Sequence, residues 1–301
     1  MLDRESTFAN PHIVTMLKTK YVPVAIDQHY QRRQKDTEGD FYRKIAGQGP
    51  RNNFNSTTQG FYIVTASGKL LLYNNNRDPK KVQRLMTEKL AEFQQSEAAK
   101  RVAEVIPRRR VDTRWNVAPP DGGLVIRVNS KVLGGYEPTT DPFQSIFQTA
   151  ISRDNLWISA SEHTALTKGQ VTAALQQRIV RFHLVDNTRG EPPMWRENEV
   201  KQVTMQIDNG KLTGTVHLET QDGKRGYRAE LLGRVESTGG KIVRFDVVAL
   251  GDFWGEGTYT RRAPKGKFPL GITFRIADGT DVADRIQPQA SRGWVDGYIR
   301  K

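Results

Sequence analysis

The hydrophobic rhythm of this chain changes once, at Pro119-Pro120-Asp121-Gly122-Gly123, and that change limits it to two differently built parts. Before this run, apolar residues recur at helical spacing around a few short strand-like stretches. After it, alternation at a period of two dominates. A length of 301 residues suits two ordinary domains. The pattern places a first domain over residues 1–107, a linker over 108–123 and a second domain over 124–301.

In the first part, Thr7 or Asn10 can cap a short helix carrying Ile13, Val14 and Leu17, and Tyr21 to Asp27 reads as a buried strand. Glu38 to Ala46 is a short amphipathic helix with Phe41, Tyr42 and Ile45 on one face, ended by Gly47-Gln48-Gly49-Pro50. Gly60 to Thr65 and Lys69 to Tyr73 flank Ala66-Ser67-Gly68, which predicts a β-hairpin. Asp78 as N-cap and Pro79 at the first helical position open a long helix with Val82, Leu85, Met86, Leu90 and Phe93 along its apolar face.

That order of elements resembles the thioredoxin-like superfamily from just after its redox motif onward. Asp3 to Asn10 is similar to the stretch that follows the Cys-x-x-Cys, Tyr21 to Asp27 to the next strand, and Phe61 to Lys69 to the strand and turn after the cis-proline. The resemblance covers about a third of the chain and implies an α/β thioredoxin-like domain. Two departures remove the chemistry that the family implies. No cysteine occurs anywhere, and Gln59 stands where the cis-proline is expected. The family's strand before the cysteine motif also has no counterpart, which implies either a natural start upstream of Met1 or a substitute strand from the second part.

Cysteine absence excludes disulfides, thiolate nucleophiles, Cys-ligated zinc and iron–sulfur clusters, and with them a dithiol oxidoreductase. The formal charge of +13 is uneven, since residues 1–110 hold 20 Lys and Arg against 11 Asp and Glu. Such a field favours anionic partners, nucleic acid among them, although a basic solvated surface is the simpler account. His29, Arg32, Arg33, Lys35 and Arg43 gather after the predicted first strand as a candidate anion crevice, where Asp27, Asp36, Glu38 and Asp40 can partly neutralise them. Arg108-Arg109-Arg110 suits a helix C-terminus facing solvent better than a nucleic-acid contact. No apolar stretch is long enough to span a bilayer. Leu2-Asp3-Arg4-Glu5 is no signal peptide, so the chain as written reads as cytoplasmic, or as exported with a leader upstream of Met1.

From Leu124 onward, strands are predicted at Leu124–Val128, Leu156–Ser159, Ile179–Val185, Val200–Ile207, Leu212–Glu219, Gly226–Leu232, Ile242–Leu250, Gly257–Thr260 and Gly271–Ile276, with a short helix within Lys168–Gln177. Asp208-Asn209-Gly210 and Gln221-Asp222-Gly223-Lys224 are hairpin turns. The expected fold is a mainly antiparallel β domain, sandwich or barrel.

The densest chemistry runs from Arg181 to Trp195. If Ile179–Val185 is a strand with Phe182 and Leu184 inward, His183 faces the other way. It can then meet Glu162 and His163, with Asp186, Glu191 or Glu256 completing a nitrogen/oxygen set for a divalent metal such as zinc, iron or manganese. The alternative is that His183 and His163 are structural hydrogen-bonding residues, and Asp186, Arg189 and Glu191 an ion-paired loop. Gly251 to Thr260 predicts a tightly turned strand exposing Trp254, able to stack on a ligand, whereas Trp254, Trp195 and Trp294 plugging the domain ends is the structural alternative. Ala263 to Lys267 lacks phosphate-loop spacing, and no Gly-x-Ser-x-Gly elbow occurs.

The expected function is a non-redox ligand- or partner-binding scaffold, its partner a protein or an anionic ligand. The expected ligand-binding residues are Arg32, Arg33, Arg189, Glu191, Trp195 and Trp254. A metal-dependent enzyme using the His/carboxylate set in the second domain is the alternative.

Overall fold

The computed structural model describes residues 5–101, 111–292 and 294–300. Two compact units divide at Val117/Ala118, immediately before the Pro/Gly-rich run that starts at Pro119. The arginine triplet 108–110 lies outside the described residues.

The first unit is α/β. Asn10 caps α1 (Pro11–Lys20) by accepting from the amides of His12 and Ile13. Asp36 caps α2 (Thr37–Ala46). A hairpin follows, β1 (Phe61–Val64) with β2 (Leu70–Asn74). Asp78 then caps α3 (Pro79–Gln94), with Pro79 at its first position. Phe61 and Ile63 pack on Ile13, Val82 and Met86 of α1 and α3. Tyr62, pointing the other way, meets Tyr42 of α2 at a ring distance of 6.4 Å. The hairpin therefore has helices on both faces.

Two expectations fail here. Tyr21–Asp27 forms no strand. Its apolar composition suits one, but among the described residues no neighbouring strand bonds to it. The stretch assigned to the linker is partly built into this unit: the Asp112 amide donates to Asp36, the Asp112 carboxylate accepts from the Lys35 amide, and Trp115 packs on His29 and Tyr30.

Asp36 ties these pieces together. Its burial pushes the carboxyl pKa up, but hydrogen bonds from the amides of Gly39 and Asp112 and from the Gln34 side chain more than offset this, so the value lies below the ordinary carboxylate range. A lowered folded-state pKa stabilises the fold above the unfolded value, and that contribution vanishes as pH falls through the folded one. Protection factors of the amides over residues 36–46 should accordingly fall on acidification below about pH 4. In Asp36→Asn they should be lower at neutrality and respond less to acid.

The second unit is one curled antiparallel sheet, a half-barrel. It is not two packed sheets. Its strands are β3 (Leu124–Val132), β4 (Asp154–Ile158), β5 (Val200–Asp208), β6 (Lys211–Glu219), β7 (Gly226–Thr238), β8 (Lys241–Trp254) and β9 (Lys267–Ile276). Their order across the sheet is β4-β3-β9-β8-β7-β6-β5. Asn209 and Gly210 take φ of +48° and +74°, the left-handed pair required by the two-residue turn between β5 and β6. On the inner face, Leu231, Val247, Ile272 and Val128 are all buried.

Helices α4 (Pro142–Thr149), α5 (Ala160–Thr167), α6 (Ala173–Arg178) and α7 (Val295–Arg300) complete the unit. Helix α6 runs straight into a π-helical turn, Ile179–His183, which touches both edge strands, β4 and β5. The curl of the sheet brings its two edges to one plug. The strands expected at Ile179–Val185 and Gly257–Thr260 are this π turn and a loop. A short apolar run reads equally as strand or buried helix, and here the preceding helix decides it. Among the described residues no helix is long and apolar enough to cross a membrane.

Candidate functional site

The π turn sets the position of the strongest candidate group. Phe182, His183, Leu184 and Val185 are all buried, so the alternation that was to separate His183 from the core does not exist. Nε2 of His183 lies 2.6 Å from the Tyr298 hydroxyl, and Nδ1 lies 3.2 Å from an Asp154 carboxylate oxygen. Burial first, then the nearby Asp154 charge, raises the Tyr298 hydroxyl pKa well above its ordinary value, keeping it protonated. Asp154, His183 and Tyr298 form a line of polar groups between β4, the π turn and α7. All three are shielded from solvent, with side-chain exposures of 7% and 0% for Asp154 and His183 and 0% for Tyr298 as a whole.

The remaining candidate metal ligands go elsewhere. Glu162 closes a capping box with Ser159 and pairs with Arg178 at 2.6 Å. Nε2 of His163 accepts from the Ile242 amide at 3.0 Å, which leaves Nδ1 to carry the proton and donate to the Gly122 carbonyl, also at 3.0 Å. The His163 ring is thus a neutral brace. Asp186 binds Arg189 through Nη2 at 2.6 Å and also accepts from Thr188. Glu256 lies 3.8 Å from Arg189 and accepts from the Ala263 amide at 2.6 Å. Among the described residues no three His, Cys, Asp or Glu side chains converge to hold a metal. The expected set of Glu162, His163, His183, Asp186 and Glu256 is dispersed, because His183 faces the interior and two of the acids neutralise buried arginines.

The expected ligand-binding residues are also largely absorbed by the fold. Arg189 is buried and donates to the Thr260 carbonyl. Glu191 pairs with Arg292 at 2.9 Å. Trp195 is buried, its indole N–H donating to the Leu184 carbonyl at 2.8 Å. Trp254 is half-buried beside Gly226, with Lys267 5.2 Å from its ring centre, while Tyr259 is the exposed aromatic of that loop. In the first unit, Arg32 is buried and donates to the Ser56 carbonyl, and Arg33 lies 5.4 Å over Trp115 and donates to the His29 carbonyl. The arginines do gather, but as carbonyl braces rather than as a crevice.

What the molecule presents outward is a face of the curled sheet that sequence reasoning did not single out. Register places Gln206, Thr213, Leu232, Val248, Thr273 and Asn129 in one row across six strands. Leu250 stands in the next row, between Glu230 and Gly271. Leu232 is 57% exposed and Leu250 51%. The row has no charged member, whereas Arg234, Asp246 and Arg275 line the row beyond it. A shallow depression of about 400 Å³ lies on this face among Thr204, Gln206, Thr213, Thr215, Glu230 and Leu232. The signal was present in the sequence, since Leu232 and Val248 break the polar phase of their strands.

No relative decides the matter. No family model matches the chain, and neither a curated protein nor a solved structure is detectably similar to it. The geometry alone supplies the functional argument.

Proposed function

We propose that this protein is a non-redox, partner-binding scaffold, with a cysteine-free thioredoxin-like frame in its first unit and a binding face on the half-barrel of its second. The observation that carries this reading is the outer sheet face: exposed Leu232 and Val248 lie in a row of uncharged Thr, Gln and Asn, exposed Leu250 stands beside Glu230 in the next row, and Arg234, Asp246 and Arg275 line the row on the other side. An apolar centre within a polar surround is the anatomy of a protein interface. The hairpin with helices on both faces supports the thioredoxin-like frame.

The test is quantitative co-purification from the source cells of the full chain and of Leu232→Glu/Leu250→Glu, with thermal melts of both. These positions face solvent, so the melting temperatures should agree within a few degrees. The scaffold reading expects defined co-purifying proteins that the double variant loses. Identical co-purification by both chains overturns it.

A further inference from the structure

Two kinds of backbone edge stand unpaired among the described residues of the first unit. Strands β1 and β2 pair there only with each other, so the outer edge of each has no strand partner. The second kind is Val22–Ile26, which is held at both ends and free between them. Before it, the Tyr21 hydroxyl donates to the Met86 carbonyl at 2.7 Å; after it, Asp27 accepts from the His29 amide at 2.8 Å. Among the described residues, Val22 to Ile26 make no backbone hydrogen bond. Their apolar side chains are uncovered, Val22 at 89%, Val24 at 75% and Ile26 at 43% exposure. The residues that flank it are extended, Tyr21 at φ −130°, ψ 162° and Asp27 at φ −85°, ψ 101°, and an apolar run with free amides and carbonyls that continues that course is a template for strand addition.

Proline fixes which edge is usable. Along an extended segment, alternate residues direct their N–H and C=O groups to opposite sides. Pro23 has no N–H, so the side served by residues 23 and 25 lacks a donor. The competent edge is that of Val22, Val24 and Ile26. Charge indicates the kind of strand that fits. Lys18 and Lys20 are exposed just before the segment and Lys35 is exposed after it, and none forms an ion pair among the described residues. The preponderance of 20 Lys and Arg over 11 Asp and Glu in residues 1–110 adds a longer-range field of the same sign.

We infer that Val22–Ile26 accepts one extended strand of a protein partner, paired along the edge of residues 22, 24 and 26, apolar at alternate positions and acidic at its ends. This rests on the partner-binding reading and gives it a second, chemically defined contact. The backbone pairing supplies register, Val22, Val24 and Ile26 lie beside the partner's alternate side chains, and the lysines meet its terminal carboxylates.

The probe is a fluorescein-labelled peptide of alternating valine and threonine with aspartates at both ends, titrated against the full chain by anisotropy. Saturable binding is expected, about tenfold or more weaker when alternate peptide amides are N-methylated or the aspartates are replaced by lysines. Val24→Pro should abolish binding by removing a donor from the competent edge, and Ala25→Pro, on the opposite edge, should retain it. Neither residue makes a backbone hydrogen bond among the described residues, so both variants should fold. Hydrogen exchange should show Val22, Val24 and Ile26 amides protected only with peptide present. No saturable binding, equal loss in both proline variants, or protection of these amides in the peptide-free chain each overturns the proposal; the last means that a second copy or another part of the chain already fills the edge. Leu232→Glu/Leu250→Glu should bind the peptide like the parent chain, so failure of the outer-face reading and failure of this one remain distinguishable.

Discussion

Arg178→Met is expected to lower the unfolding free energy of the second unit by about 3–5 kcal/mol, because removing one member of a buried ion pair leaves the other charge uncompensated. The Arg178 side chain is fully buried and that of Glu162 is 6% exposed, with 2.6 Å between them. Arg178 also donates through Nε to the Tyr298 carbonyl at 2.6 Å and through Nη2 to the Ile299 carbonyl. It therefore anchors α7 while neutralising the acid that caps α5. Amide exchange over residues 295–300 should rise before global unfolding, as the helix comes away locally. The double variant Arg178→Met/Glu162→Gln should recover much of the loss, since it buries no net charge and Gln still completes a capping box. Urea unfolding of the parent chain and the two variants checks this. A loss below about 1 kcal/mol in Arg178→Met, within the range of ordinary surface substitutions, or no recovery in the double variant, means that the pair carries little of the fold.

The same arginine shows what a sequence can and cannot disclose. The β5–β9 meander was legible because alternation and turn chemistry are local. Asp208-Asn209-Gly210 names its own hairpin, and the apolar phase of Leu212, Val216 and Leu218 names the inner face. The caps at Asn10 and Asp78 were legible for the same reason. Tyr21–Asp27 was not, because strand propensity describes a segment that fits a sheet and says nothing of whether a neighbour is present to bond it. Nor was the fate of His183. Its partners Asp154 and Tyr298 lie 29 and 115 positions away in sequence, and the π turn that aims it inward has no sequence signature of its own. Acids and histidines near one another in sequence suggest a metal set. In the fold, arginines claim those acids first: Arg189 takes Asp186 within the same loop, and Arg178 reaches Glu162 from the next helix.

Trp195→Ala is expected to cost about 3–5 kcal/mol, the usual range for emptying a buried aromatic site. The residue was expected to face a ligand, and a tryptophan in that role can be truncated with little loss of stability, so this measurement separates the two roles. Trp195 is 1% exposed, with Phe253 at a ring distance of 6.2 Å and the Arg225 guanidinium 3.9 Å from its ring centre. Burial lowers the Arg225 pKa to about 10 while Glu199, 3.8 Å away, opposes the shift, so the guanidinium stays charged at neutrality and depends on the indole face for part of its solvation. Truncation leaves a cavity, strips the Leu184 carbonyl of its 2.8 Å donor and exposes one face of a desolvated cation to that cavity. Trp195→Phe keeps most of the ring but not the N–H, and should cost about 1–3 kcal/mol. A double-mutant cycle between Trp195→Ala and Arg225→Met should yield a coupling of about 0.5–2 kcal/mol. Zero coupling assigns the cost to the cavity and the lost hydrogen bond, and makes the stacked guanidinium a bystander. A Trp195→Ala chain as stable as the parent removes this indole from the core and returns it to the surface that meets a ligand.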